Sequence, residues 1–166
     1  MGHKPQPIAY NLIMPTSENR PYFAAQAQAA AAAEVVQQLR GRGLFKLYAF
    51  AVMPDHLELL LQPVANDDLR VVLYQLRLSV AQALRKRGEQ QNLWAPRSEI
   101  SKFFDPREAA ARVLEIQASP VEAGLVPNPE SYRFSSAHSD AEIDAIESAE
   151  SGEPELVPLK HVAMAV

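Results

Sequence analysis

His56 and Glu58 are the side chains of this sequence that are best placed for chemistry. They lie two residues apart in the segment 56–62, where leucines alternate with polar residues, so a β-strand would point both to one face. An imidazole and a carboxylate about 7 Å apart could both reach a divalent cation if a neighbouring helix supplied a third ligand. The same alternation is typical of an amphipathic strand without a site, so the spacing leaves both interpretations open.

The elements that hold this pair follow from hydrophobic periodicity and from the residues that end each segment. Strands are predicted at residues 8–15, 44–52 and 56–62, the last two joined through Pro54 and Asp55 as an antiparallel hairpin. The segment 44–52 is nearly all apolar, which indicates a central strand buried on both faces. Helices are predicted at 24–40, at 68–87 with Asn66 or Asp67 as N-cap, and at 106–118, ending before Pro120.

The order strand, helix, strand, strand, helix, helix predicts an α+β fold, a ferredoxin-like antiparallel sheet with helices packed on one face. A chain of 166 residues suits one core, and we place the domain at residues 1–138. Residues 139–166 carry seven acidic side chains against one basic, which predicts a weakly ordered acidic C-terminal tail with a short docked helix near 142–149.

Composition excludes several classes of function. The chain has no cysteine, so a disulfide framework, a thiolate zinc site and a cysteine nucleophile are all ruled out. The N-terminus has no apolar signal region, and no apolar run approaches the roughly 20 residues of a membrane span. We therefore expect a cytoplasmic protein that has no membrane partner.

The formal net charge of −4 hides an uneven distribution, because residues 1–138 hold 15 basic and 13 acidic side chains. Local basic patches can hold a phosphate backbone whatever the overall charge. Ordinary solvated helix faces are the alternative interpretation. Trp94 is expected to pack in the core rather than stack on a base. The basic residues that could hold a phosphate backbone are Arg40, Arg42, Arg70, Arg77, Arg85, Lys86, Arg87 and Arg97.

Two segments together resemble the HUH tyrosine transposases, and above all their REP-associated branch. The first is 48–61, with Met53-Pro54-Asp55-His56-Leu57-Glu58 at its centre, and the second is Ser119-Pro120-Val121-Glu122-Ala123-Gly124-Leu125-Val126 followed by 129–136. The resemblance covers residues 8–138. It implies single-strand DNA as substrate, a helix-borne tyrosine that attacks a phosphate, and a metal held by two histidines.

This sequence departs from that family pattern at three of the four catalytic positions. Glu115 stands where the resemblance places the nucleophilic tyrosine, Ser119 replaces an asparagine, and Glu58 replaces the second histidine. The predicted metal ligands are therefore His56 and Glu58, which suit Mg²⁺ or Mn²⁺, unless no metal is bound.

The sequence accordingly predicts a transposase-like protein that binds single-stranded or hairpin DNA, as a monomer or homodimer, with weak or lost catalysis. One alternative is an active transposase or nuclease with an altered metal site built from His56, Glu58 and Glu115. Another is an interaction protein that kept the fold and no longer binds nucleic acid.

Overall fold

One antiparallel sheet organises the computed structural model, which describes residues 5–64, 68–86 and 92–147. Across the sheet the strand order is β2-β3-β1-β4, with β1 at Ala9–Pro15, β2 at Phe45–Met53, β3 at His56–Pro63 and β4 at Glu99–Phe103. The helices are α1 (Gln26–Gly41), α2 (Leu69–Arg85) and α3 (Pro106–Glu122). Because the chain runs β1-α1-β2-β3-α2-β4 before α3, the fold is ferredoxin-like and the predicted α+β class is confirmed.

Helices cover both faces of this sheet, whereas the sequence predicted cover on one face. Leu57, Leu59 and Leu61 of β3 join the core that α1 and α2 close, while Leu60 packs with Val113 of α3 in a second core. The physical reason lies in β2, whose apolar side chains point to both faces and need cover on each. The third layer therefore places α3 over the polar positions of β3.

The strand β2 is an edge strand, although its apolar sequence indicated a central one. Its outer edge is covered by residues 134–136, so it is buried without a strand partner on that side. The Val52 N–H donates to the Phe134 carbonyl at 2.8 Å, and the Ser136 N–H donates to the Phe50 carbonyl at 2.8 Å. The resemblance segment 129–136 therefore closes the sheet edge beside the hairpin.

Residues 141–147 continue this cover, with no helix over 142–147 where the sequence predicted one. Ile146 is 4% exposed in the α3 core, so the chain is packed beyond residue 138. The division at 138/139 stays a prediction, and residues 148–166 lie outside the described ones. No helix among the described residues is long and apolar enough to cross a membrane.

Asp144 links this segment to β2 and α1. Its Oδ2 accepts from the Leu47 N–H at 2.8 Å and from Arg40 Nε at 3.1 Å, and its Oδ1 accepts from an Arg40 terminal nitrogen at 3.0 Å. We expect Asp144→Ala to lower the free energy of unfolding by about 1.5 kcal/mol, because a buried strand N–H loses its acceptor. Urea denaturation measures this, and Asp140→Ala, with its side chain 90% exposed, is the control. Equal stability of the two variants would contradict the assigned role.

The strand β4 was not predicted. It pairs with β1 from Ala9 opposite Phe103 to Ile13 opposite Glu99, and four of its five residues are exposed. A short edge strand with little buried apolar surface gives almost no periodic signal.

The ends of α2 and α3 differ from the predicted ones for local reasons. Asp68 is the N-cap of α2, and its Oδ1 accepts from the Arg70 N–H at 2.9 Å, while the predicted caps 66 and 67 lie outside the described residues. In α3, Pro120 is inside the last turn. The helix ends at Glu122. Just beyond it, Gly124 has φ 78° and closes a Schellman motif in which the Leu125 N–H donates to the Pro120 carbonyl.

Candidate functional site

The β2-β3 hairpin places His56 and Glu58 on the face that α3 covers. His56 is the first residue of β3, opposite Met53 of β2 and Pro15 of β1, and Glu58 is 8% exposed. A residue that follows β1 holds the turn of this hairpin, because the Thr16 hydroxyl donates to the Asp55 carbonyl at 3.0 Å. The predicted orientation of the pair to one face is therefore observed.

The His56 imidazole lies between two carboxylates. Its Nε2 is 2.7 Å from Glu58 Oε2, and its Nδ1 is 2.8 Å from Asp55 Oδ1. A ring that meets acceptors on both nitrogens is best satisfied as imidazolium, which donates at both. Burial disfavours that charge, but the hydrogen bonds with Glu58 and Asp55 outweigh it and raise the pKa of His56 above its usual value of 6.5.

Two residues of α3, two turns apart, complete the surroundings of Glu58. The Ser119 hydroxyl donates to Glu58 Oε1 at 2.8 Å, and a terminal nitrogen of Arg112 lies 3.9 Å from the same oxygen. Burial raises the pKa of Glu58, yet the bonds from His56 and Ser119 and the charges of His56 and Arg112 lower it further, leaving it below 4.5. Glu58 is thus a buried, ionised carboxylate with each of its oxygens hydrogen-bonded.

Arg112 joins this group to the rest of the site. Its Nε donates to Asn11 Oδ1 at 2.9 Å, and one terminal nitrogen donates to Glu115 Oε1 at 3.1 Å. Residues 112, 115 and 119 recur at helical spacing, so they share one face of α3. We call the whole set the site network; its members are Asp55, His56, Glu58, Arg112, Glu115 and Ser119.

The donors of the site network do not fit a divalent cation. Among the described residues, no group of three or more His, Asp or Glu side chains is placed to hold a metal ion. His56 Nε2 and Glu58 Oε2 bond to each other, and a metal-bound imidazole must be neutral at the ligating nitrogen. Glu115 is tied to the group through Arg112 and supplies no third ligand. A metal role for His56 and Glu58 stays a prediction that this geometry does not support.

The sequence analysis missed Arg112 and Asn11. Arg112 lies three residues before Glu115 and seven before Ser119, so its helical spacing was the available signal. Asn11 carried no comparable signal, since a single polar residue in an apolar strand becomes informative only when its partner is known.

Apart from Arg77 in the middle of α2, the described residues predicted to bind DNA lie at two ends of the molecule. Because β1 and β3 are antiparallel, the helices that return from them are antiparallel too. Arg85 and Lys86, at the C-terminal end of α2, therefore lie at the end of the sheet where β3 begins, which we call the His56 end. At the opposite end, about 22 Å away along α2, lie Arg40, Arg42 and Arg70. Arg87 is outside the described residues.

These basic residues also differ in whether they form ion pairs. Arg40 is paired with Asp144 and Glu142, and Arg70 is paired with Asp68 at 2.8 Å. Arg77 uses a terminal nitrogen to donate to the Ala95 carbonyl and to Ser98 Oγ, at 3.3 and 3.0 Å. Arg77 thus positions a loop, whereas Arg42, Arg85, Lys86 and Arg97 have no ion pair among the described residues.

The loop that carries Arg97 runs beside the hairpin. Trp94 forms a bridge with Thr16, and the Ala95 N–H donates to the Pro15 carbonyl at 2.9 Å. The Trp94 ring packs 5.9 Å from that of Phe23 and its Nε1 donates to the Arg77 carbonyl, so the prediction of core packing for Trp94 is confirmed. Because Pro15 pairs with His56, the loop and the site network share the His56 end.

A pH dependence follows from the two shifted pKa values. Because the pKa of His56 is raised, its contribution to stability is complete below pH 6.5 and is lost as the pH rises through the folded-state pKa. Because the pKa of Glu58 is lowered, its contribution to stability is lost as the pH falls below 4.5. Asp55 and Glu58 are the charged groups that contact the ring, and Arg112 contacts Glu58 and Glu115 in turn.

We expect His56→Gln to lower the free energy of unfolding by about 1 kcal/mol near pH 5.5 and by less at pH 8.5. Urea denaturation at both pH values measures the change. His138→Gln, which removes an imidazole outside the site network, is the control. A loss from His56→Gln that grows at pH 8.5 would contradict an ionic bond to His56.

Both the sequence and the fold of this chain are similar to those of known proteins. Residues 6–104 match the family described as Transposase IS200 like. The match spans more than half of the chain, including all four strands and the hairpin. The chain therefore belongs to the IS200-like transposase family, as the resemblance implied. No significant match is found among curated proteins.

Two solved structures share the fold. A REP-associated tyrosine transposase bound to a REP hairpin is similar with a TM-score of 0.64 at 16% identity, over 95% of this chain and 99% of that one. A protein of Deinococcus radiodurans R1 assigned as a transposase is similar with a TM-score of 0.52 at 19% identity, over 68% of this chain and 92% of that one. At these identities the likeness establishes the fold.

Proposed function

We propose that this chain binds single-stranded or hairpin DNA at the His56 end and does not cut it by metal-assisted tyrosine chemistry. Membership of a transposase family and a structural neighbour that is bound to a REP hairpin support DNA as the partner. The contacts within the site network are the observation that supports the proposed loss of strand cleavage.

The chemistry of the site network explains why cleavage is lost. A transesterification that leaves a stable link to DNA needs a phenol or a comparable nucleophile, and position 115 presents a carboxylate. Stabilising the charge on a phosphate needs a cation with free coordination sites. Here the positive charges of His56 and Arg112 are already directed at carboxylates. Within the site network, therefore, neither a phenol nor a positive charge without a carboxylate partner is available to a phosphate.

Basic residues at the same end support DNA binding. Arg85 and Lys86 lie at the C-terminal end of α2, and Arg97 lies on the loop that pairs with β1, so all three lie at the His56 end of the sheet. They have no ion pair with a described residue, so no described carboxylate competes with a phosphate for them. Backbone contacts of this kind are independent of a metal ion.

Fluorescence anisotropy of a labelled hairpin oligonucleotide tests the proposal. We expect saturable binding in EDTA. Adding about 5 mM Mg²⁺ at matched ionic strength should leave the affinity unchanged. Raising the salt concentration from about 50 to about 200 mM should weaken binding steeply. A duplex of the same composition is the control for hairpin preference. No binding at low salt would overturn the proposal and favour the interaction-protein alternative.

A cytoplasmic location and the choice between monomer and homodimer stay predictions. The alternative of an active enzyme with an altered metal site gains no support. Glu115 forms an ion pair with Arg112, and among the described residues it is not grouped with His56 as a metal ligand.

A further inference from the structure

A cavity of about 520 Å³ lies at the end of the sheet away from the site network. Tyr48 of β2 and Gln62 of β3 line it, on the face of the sheet that α3 covers. His56 and Gln62 lie near the two ends of β3, about 20 Å apart. The cavity is therefore distinct from the site network, and its volume is that of a pocket for a small molecule.

A β-bulge brings Tyr48 to this cavity. Where β2 pairs with β3, Leu47 lies opposite Leu61 and Ala49 lies opposite Leu60, so Tyr48 is an extra residue. Its side chain shares the α3 face with Ala49 and is 4% exposed. Bulges of this kind redirect a side chain, often beside a functional site.

The Tyr48 hydroxyl is a hydrogen-bond donor that the domain does not use. Among the described residues it has no hydrogen-bond partner. Burial, together with the nearby carboxylates of Glu147 and Asp144, raises the pKa of Tyr48 to about 12. The phenol therefore keeps its proton at neutral pH and can donate it to a bound molecule.

Gln62 adds an unused amide to the same cavity. Its Oε1 is buried and has no hydrogen-bond partner among the described residues. An acceptor left in this state costs free energy, so its presence calls for a partner. A glutamine amide carries an acceptor beside a donor, which is the arrangement that pairs with two adjacent groups on the edge of a nucleobase.

The other walls of the cavity suit a flat and uncharged molecule. Pro7, Pro63 and Ile146 supply apolar surface. The Lys46 ammonium lies 3.0 Å from a carboxylate oxygen of Glu147, so the charges of these two wall residues balance. Apolar walls with a few polar groups bind a planar ring, whereas a phosphate would find no unpaired cation here.

We propose that this cavity binds one unpaired nucleobase, with the Gln62 amide on its hydrogen-bonding edge and the Tyr48 hydroxyl as a further donor. A free nucleoside and an unpaired base of a DNA strand share this chemistry, and the experiment below distinguishes them. The inference does not depend on DNA binding at the His56 end, because the cavity has its own walls and its own polar groups.

Titration of the full chain with deoxyadenosine, followed by saturation-transfer NMR of the nucleoside, tests the proposal. We expect a dissociation constant of about 1 mM or tighter, as for a small ligand with few contacts. Gln62→Leu should weaken binding about tenfold, the contribution of one bidentate contact to a base. Tyr48→Phe, which removes only the hydroxyl, should weaken it about threefold. Gln82→Leu, at an exposed position of α2, is the matched control and should bind as the wild type does.

Urea denaturation separates a loss of binding from a loss of folding. Because the Gln62 amide oxygen has no partner, Gln62→Leu should be no less stable than the wild type. The proposal is overturned if the folded wild type binds none of the four common deoxynucleosides. It is also overturned if Gln62→Leu and Tyr48→Phe both bind deoxyadenosine as tightly as the wild type.

A hairpin oligonucleotide with 2-aminopurine, a fluorescent adenine analogue, in its single-stranded flank distinguishes the two sources of the base. A fluorescence change with the wild type that is absent with Gln62→Leu identifies a base of the bound strand. Deoxyadenosine binding without that change identifies a free nucleoside. If the hairpin does not bind at all, the DNA-binding proposal falls, and the deoxyadenosine titration still decides the role of the cavity.

Discussion

Replacing Glu58 by alanine is expected to lower the free energy of unfolding by about 2.5 kcal/mol, more than any other single change in the site network. Glu58 accepts from His56 and Ser119 and faces Arg112, so its loss leaves two cationic groups with fewer acceptors in a mostly buried place. The free energy of unfolding would fall further if a buried charge were left with no partner at all. Here His56 keeps Asp55 and Arg112 keeps Glu115.

Urea denaturation at pH 6 measures this effect. Glu122→Ala, on the exposed end of the same helix that covers Glu58, is the matched control and should change stability by less than about 0.5 kcal/mol. Glu58→Gln should fall between the two, because its amide oxygen still accepts from Ser119 while the charge is gone. A Glu58→Ala variant as stable as the control would mean that the site network contributes nothing to the fold.

The second large effect is expected on DNA affinity. Replacing Arg85 and Lys86 together by alanine should weaken hairpin binding about tenfold near 0.1 M salt, because two phosphate contacts are removed. The slope of log Kobs against log salt should become shallower by about 1.4, at roughly 0.7 per contact with single-stranded DNA. Anisotropy titrations at four or more salt concentrations give both quantities.

The double variant Arg42→Ala/Arg70→Ala provides a control with an equal change in charge. Those two residues lie at the opposite end of α1 and α2, so we expect affinity within about twofold of the wild type, an effect of long-range charge alone. An equal loss from both double variants would place the DNA across the whole helical layer. In that case the proposed binding surface at the His56 end would be wrong.

The sequence predicted the hairpin and its face well, because strand periodicity is local. His56 and Glu58 could be assigned to one face from spacing alone, and the fold class followed from the order of elements. The side of the sheet that α3 covers could not be predicted in that way. It depends on the second apolar face of β2 and on the edge cover by residues 134–136, which are distant in sequence.

The same limit applies to the chemistry of the site. The family pattern identified Glu58, Glu115 and Ser119 as departures from it. It contains no position that would identify Arg112 as part of the site. Its role arises from Asn11, about a hundred residues earlier, and from the packing of α3 on β1. The basic residues show a related difficulty, since sequence cannot tell Arg40, which is paired with Asp144, from Arg85, which is free of ion pairs among the described residues.

The most direct test of the central claim is a cleavage assay on a labelled hairpin with single-stranded flanks, in Mg²⁺ or Mn²⁺, resolved on a denaturing gel. The site network predicts a salt-sensitive complex on a native gel and neither a shortened strand nor a protein-linked strand on the denaturing one. A covalent or cut product made by the wild type and lost in His56→Gln would contradict this account.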